Sequence, residues 1–300
     1  MQINMIRSDK VYQEMLELPL EKREGCFRAK ILAPFAMKYQ TQHIPLKAKY
    51  PGGFDALFLL GFMNQLPSTL SEKDRPAIDA LSSDQLWQNC QDTIKRSIGL
   101  FEQAGYDLEV EDYHFTILLG NPEKPMLQLN KGYSGDGGIP GYLMLSLLPN
   151  DYTLPRVQAA LAHECNHNVR FQFVKWNQQT TLADWVVSEG LAESFAAELY
   201  GKDLIGSWVT STSPEQLEEI KPIISSQLQL TGMAEMAPYL YGDEIAKIQG
   251  QIPVGMPYAA GYAYGYHLIQ AYLKKTGKSI IEATVTPTEE ILEATKDFWK

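Results

Sequence analysis

The chain of 300 residues contains five histidines, at positions 43, 114, 163, 167 and 267, and two of them lie four apart. In the run His163-Glu164-Cys165-Asn166-His167 a helical backbone projects positions four apart from one face, with Cβ atoms about 5–6 Å from each other. Both imidazoles can then reach one metal ion. Histidine and carboxylate ligands suit Zn²⁺, and a catalytic zinc takes three protein ligands and leaves a fourth position for water. Glu164, next to His163, is poorly placed to be a ligand but can lean towards such a water and take its proton. Cys165 lies about 100° round the helix from its neighbours and is expected in the core.

This is the logic of the HExxH pattern of metalloproteases. A third ligand is expected on the next helix, in Ser188-Glu189-Gly190-Leu191-Ala192-Glu193. After a polar turn at 177–181 the chain runs back along the first helix, which brings residues some twenty positions beyond His167 close to it. Glu189 is therefore the expected third ligand, ahead of Asp184 and Glu198, which read as solvated positions. Glu193, one turn on, can accept the second ring N–H of a metal-bound histidine and fix its tautomer, a supporting part in cofactor binding. Gly190 in mid-helix costs about 1 kcal/mol against alanine and suggests two helices in close approach.

HECNH followed by SEGLAES resembles the gluzincin class of zinc metallopeptidases. The later stretch Tyr258-Ala-Ala-Gly-Tyr-Ala-Tyr-Gly-Tyr-His267 resembles the G-Y-x-x-G-Y helix of the YjaZ-like predicted zinc proteases. The resemblance covers about residues 110–280. It implies that His163, His167 and Glu189 are zinc ligands, Glu164 the general base and Glu193 a carboxylate behind the ligands. Glu193 stands where many gluzincins have Asp, which puts that hydrogen bond in doubt. The resemblance also implies that the strand at 142–148 is the edge strand above the cleft, where an extended peptide would pair. A tetrahedral intermediate needs a further donor. Tyr262 is the first candidate, with His267 and Tyr266 behind it, although Tyr258, Tyr262 and Tyr266 recur every four residues as a packed helix face also would.

Around these residues the periodicity predicts the elements that position them. The first hundred residues read as helical, through Val11, Met15, Leu16 and Leu18 and again through Phe27, Ile31 and Phe35. A helix from about Ser83 to Gly105 carries a start signal at Ser82 and Gln85. The stretches 114–119, 126–129 and 142–148 read as strands of a small sheet. GYSGDGGIPGY at 132–142 lacks the Lys-Ser/Thr ending of a phosphate loop and reads as a wide turn. Pro155 opens the helix that carries the histidine pair, Thr181 caps the next and Gly201 ends it. Further helices are expected from Ser213, from about 259 to 275, and from Thr286. His43 and His114 read as structural.

The expected fold is α+β and zincin-like: a small mixed sheet and an active-site helix pair in residues 109–300, with a helical N-terminal region at 1–108. Composition excludes some functions. A net charge of −10 and a pI near 5.1 disfavour nucleic acid and anionic lipid. Three scattered cysteines, the lack of a secretory signal and of an apolar run of about 18 residues make the chain read as soluble and cytoplasmic. The function expected is zinc-dependent hydrolysis of a peptide or protein substrate. Its alternatives are a zinc-containing binding or chaperone-associated module and a zinc hydrolase of a non-peptide amide.

Overall fold

A computed structural model describes residues 1–299. Four strands, β1 (Gln2–Met5), β2 (Asp112–Leu119), β3 (Tyr133–Ile139) and β4 (Tyr142–Leu147), form one sheet in the order β1-β2-β4-β3. β1 and β2 run parallel, as do β2 and β4, while β3 returns antiparallel along β4. The helices that matter here are α1 (Ser8–Glu17), α2 (Asp84–Gln103), α3 (Val157–Phe173), α4 (Leu182–Tyr200), α5 (Pro214–Ser225) and α6 (Ala260–Thr276). The architecture is mixed α+β, as expected. No helix among the described residues is long and apolar enough to cross a membrane.

The chain forms two compact units. Residues 1–96 cluster with 109–164, and residues 97–108 with 165–300. The strand at the very N-terminus is one reason: β1 pairs with Asp112–Phe115, so the N-terminal region shares a sheet with the strands that follow it. The boundary falls inside α2 and α3, each a continuous helix.

The first unit is built on the sheet. Strand side chains alternate between faces, and the register puts Phe115, Leu145 and Gly135 on one face and His114, Thr116, Tyr142, Met144 and Asp136 on the other. Trp87 of α2 meets Phe115 at 5.9 Å between ring centroids. On the opposite face Phe35 packs on His114 and Tyr142, which stack on each other. His114 is thus packed against aromatic rings, but its buried Nδ1 has no hydrogen-bond partner among the described residues, so it is not the satisfied histidine expected. Helix α1 is tied to β2 through the Tyr12 hydroxyl, which accepts from the Leu119 N–H at 3.2 Å.

Four local expectations are corrected. Residues 126–129 form the short helix Pro125–Leu129, because proline suits its first position and supplies no N–H for a strand. The glycine-rich segment 132–142 is the strand β3 and its tight return to β4 through Gly141, which has φ 86°. Consequently β4 at 142–147 lies inside the sheet, between β2 and β3, and the edge strands are β3 and, at the other side, β1. Glycines hide strand periodicity, because a face without side chains shows no apolar pattern. The cap of α2 also sits one residue later, since the Ser82 hydroxyl donates to the Ile78 carbonyl and Ser83 accepts from the Leu86 N–H.

The second unit is helical. α4 starts at a reciprocal capping box between Thr181 and Asp184 and stops at Gly201, with φ 92°. α5 begins with the equivalent box between Ser213 and Gln216, and α6 ends at Gly277 in the left-handed region. Gly190, expected to mark two helices in close approach, marks that of α4 to α6: an added Cβ there would overlap the Gly265 carbonyl.

Candidate metal centre

His163 and His167 stand one turn apart on α3, and Glu189 comes from α4. All three side chains are buried, and each offers a ligand atom within 4.8 Å of the other two. His167 Nε2 lies 3.3 Å from Glu189 Oε2. The other carboxylate oxygen, Oε1, accepts a hydrogen bond from Trp185 Nε1 at 3.2 Å, one turn earlier on α4. Two imidazoles and one carboxylate converging at this spacing suit zinc as a donor set. The indole N–H holds the carboxylate orientation, as outer hydrogen bonds commonly do for metal ligands. The His167 ring also stacks on Phe171, with centroids 5.7 Å apart and planes 7° from parallel.

The rivals of Glu189 are occupied otherwise. Asp184 closes the capping box with Thr181, its Oδ2 accepting from the Thr181 N–H at 2.9 Å, and Glu198 is exposed. Cys165 is fully buried, as its place on the helix requires.

Glu164 is buried and sits against β3. A Cβ on Gly135 would overlap the Glu164 carboxylate, and one on Gly137 would overlap the Glu164 backbone carbonyl. Two glycines on one face of the edge strand therefore admit the helix at the point where the carboxylate projects. Their two-residue spacing in Gly135-Asp136-Gly137 was the available sequence signal.

A buried cation sets the relation between α3 and α4. Arg170, one turn after His167, donates to the Ser188 hydroxyl and the Thr288 hydroxyl and to the carbonyls of Thr284 and Thr286. Burial pulls its basicity down to about 10 against the weaker opposing pull of Asp184 and Glu289. Ser188 is the neighbour of Glu189 in sequence. Asn166 anchors the same region, its amide donating to the Thr284 hydroxyl at 2.7 Å.

Glu193 is buried on α4 and accepts from the Gly206 N–H at 2.5 Å and from Trp208 Nε1 at 2.7 Å. These bonds tie it to the segment after α4. Tyr262 is half-buried on α6, its ring beside Tyr241 at 6.1 Å and Trp208 at 6.2 Å. Tyr241 in turn meets Trp185, the residue that holds Glu189. Tyr266 is buried in an apolar cluster with Ile205 and Val209. Burial pushes its hydroxyl pKa up, and nearby Glu193 adds to this. His267 is half-buried with its ring edge to Tyr266; burial lowers its pKa and the charge of Lys221 lowers it further, which keeps the imidazole neutral at neutral pH.

Residues 86–293 match a family model described as Predicted Zn-dependent protease (DUF2268). The chain is 33% identical over 293 residues to the uncharacterized protein YjfC of Bacillus subtilis (strain 168), a match covering 97% of each. It is 27% identical over 155 residues to the uncharacterized protein YjaZ of the same organism, covering 50% of this chain and 55% of that protein. No solved structure matches the chain significantly.

Proposed function

Because the chain belongs to the DUF2268 family, described as predicted zinc-dependent proteases, we propose that it hydrolyses peptide bonds at the cluster of His163, His167 and Glu189. The observation that carries this reading is the convergence of those three buried ligand atoms, with the buried Glu164 next to His163 in sequence. A zinc ion held by the three side chains would polarise the scissile carbonyl and lower the pKa of water towards 7.

The protein's own residues do the rest. Glu164 takes the proton of the attacking water on its carboxylate and passes it to the leaving amine nitrogen, so the residue ends as it began. Trp185 keeps Glu189 turned towards the histidines through the bond to Oε1. An extended peptide adds to the sheet along β3, the edge strand next to β4, in the manner of strand addition. That places its backbone next to Glu164, since Gly135 and Gly137 of the same strand lie against that residue. Tyr262 is the first candidate to donate a hydrogen bond to the developing oxyanion, with His267 and Tyr266 as alternatives; loss of one such donor lowers the rate on the order of 100-fold.

The test is Glu164→Gln. The variant should retain about one zinc per chain, the stoichiometry of a three-ligand site, and lose cleavage of a peptide library that the wild type cleaves. Wild-type protein that takes up no stoichiometric zinc, or a variant that cleaves as fast as the wild type, refutes the reading.

A further inference from the structure

The N-terminal region contributes a buried cation to the strand that lies against Glu164. Lys38 lies on the short helix Ala36–Thr41 and is 2% exposed, an uncommon place for an ammonium group. Its Nζ lies 2.7 Å from Asp136 Oδ2 and donates to Gln42 Oε1 at 3.1 Å. Asp136 is the residue between Gly135 and Gly137 on β3. Alternation along a strand sends its side chain to the opposite face from theirs. The same short segment of β3 is therefore held from both sides: against Glu164 on one face, with nothing but glycine between, and by a buried ammonium on the other.

The neighbours of Lys38 cover the same face. Asp136 pairs across the hairpin with Met144, and the Tyr39 hydroxyl reaches the Met144 sulfur at 3.9 Å. Phe35 packs on Tyr142, which lies on that face two residues earlier in β4. Three consecutive contacts, from Phe35, Lys38 and Tyr39, thus seat one short stretch of chain on the β3–β4 hairpin. The Phe35 ring contact and the Tyr39 O–H to sulfur hydrogen bond are ones that any hairpin could use for stability. The third places a charge at the one edge-strand position flanked by the glycines that face Glu164. The pairing of the hairpin is also irregular just beyond, between Asp136 and Ile139, so the strand has less ladder support there.

We propose that Lys38 is a positioning residue, which through Asp136 sets the depth of the β3 edge against Glu164 and so the register in which an extended substrate meets that carboxylate. This rests on the peptidase reading for its effect on turnover, but the placement of the strand is measurable without any turnover. Lys38→Met is the informative variant, because it leaves Asp136 half-exposed, where water can solvate the carboxylate. Asp136→Asn is the second variant; it removes the partner and keeps the size of the side chain.

Amide hydrogen exchange on the full chain, with and without zinc, should show residues 134–138 exchanging about tenfold faster in Lys38→Met, with α3 amides unchanged. With zinc bound, the KM for an extended peptide should rise by about tenfold while zinc content and kcat stay near wild type. Asp136→Asn should reproduce both effects, and the double variant should be no worse than the worse single one. Unaltered exchange at 134–138 in both variants overturns the proposal. So does faster exchange spread evenly over the sheet and α3 with loss of zinc, because that is a general loss of fold. If the wild type cleaves no peptide, the peptidase reading fails and the exchange data alone still decide the role of Lys38.

Discussion

Gly190 and Gly265 meet backbone to backbone where α4 crosses α6. A Cβ on Gly190 would overlap the Gly265 carbonyl, and a Cβ on Gly265 would overlap the carbonyl of Val186. Neither overlap involves the flexible end of a side chain, so only a shift of a whole helix could relieve it. Since Glu189 adjoins Gly190, that shift would also move a candidate ligand.

Gly190→Ala and Gly265→Ala are therefore expected to destabilise the protein although each improves helix propensity. Overpacking of this kind costs about 1–3 kcal/mol, against roughly 1 kcal/mol gained from the helix. Chemical denaturation should show a lower midpoint for both variants. An increase in stability for either one would contradict the close approach.

Glu189→Ala should reduce bound zinc from about one per chain to a small fraction, because the site drops to two protein ligands. Metal analysis after gel filtration reads this directly. Chelation of the wild type should lower its melting temperature, by an amount that corresponds to about 3 kcal/mol at zinc concentrations 100 times the dissociation constant. The chelated wild type and the Glu189→Ala variant should then melt close together.

Gly135→Ala should separate catalysis from metal binding. The new methyl group overlaps the Glu164 carboxylate and its Cγ, so the side chain must move as a whole. Turnover should fall on the order of 100-fold, as expected when a proton-transfer group is misplaced by about 1 Å. Zinc content should be unchanged. Equal turnover in wild type and variant would show that Glu164 does not work from this position.

The acid limb of stability should depend on Asp55. Burial pushes its carboxyl pKa up, but the N–H groups of Phe58 and Ala48 and the guanidinium of Arg28 more than offset this, so the group lies below its ordinary value. A depressed folded-state pKa adds stability that is fully present above the unfolded value of about 3.9 and is lost as pH falls towards the folded one. Asp55→Asn keeps an oxygen to cap helix Ala56–Leu60 but should be less stable by about 1 kcal/mol at pH 7, through loss of the ion pair with Arg28 and of the acceptor for the Ala48 N–H. Its unfolding free energy should also vary less with pH below about 4. Parallel profiles for the two proteins would contradict this.

Features within one helix or one cap were legible in the residues. The histidine pair, the caps at Thr181 and Ser213 and the stops at Gly201 and Gly277 depend on spacings of three or four positions, which a single chain displays openly. Strand pairing was less legible. Residues 133–139 look like a turn because glycine carries no side-chain pattern, and only pairing with β4 makes them a strand. β1 was missed because four residues at a terminus present too short a pattern to distinguish from coil. Nothing local to Lys38 announces a partner 98 positions away.

The sequence by itself determined that two imidazoles share one helix face with a carboxylate beside them and that a second helix of acidic residues follows, because helix geometry converts spacing into direction. That β4 lies inside the sheet with β3 at an edge, and that Gly190 makes room for α6, follow only from tertiary contacts. Those outcomes depend on contacts between segments far apart in the chain, where burial and backbone pairing choose among arrangements that local spacing leaves equivalent.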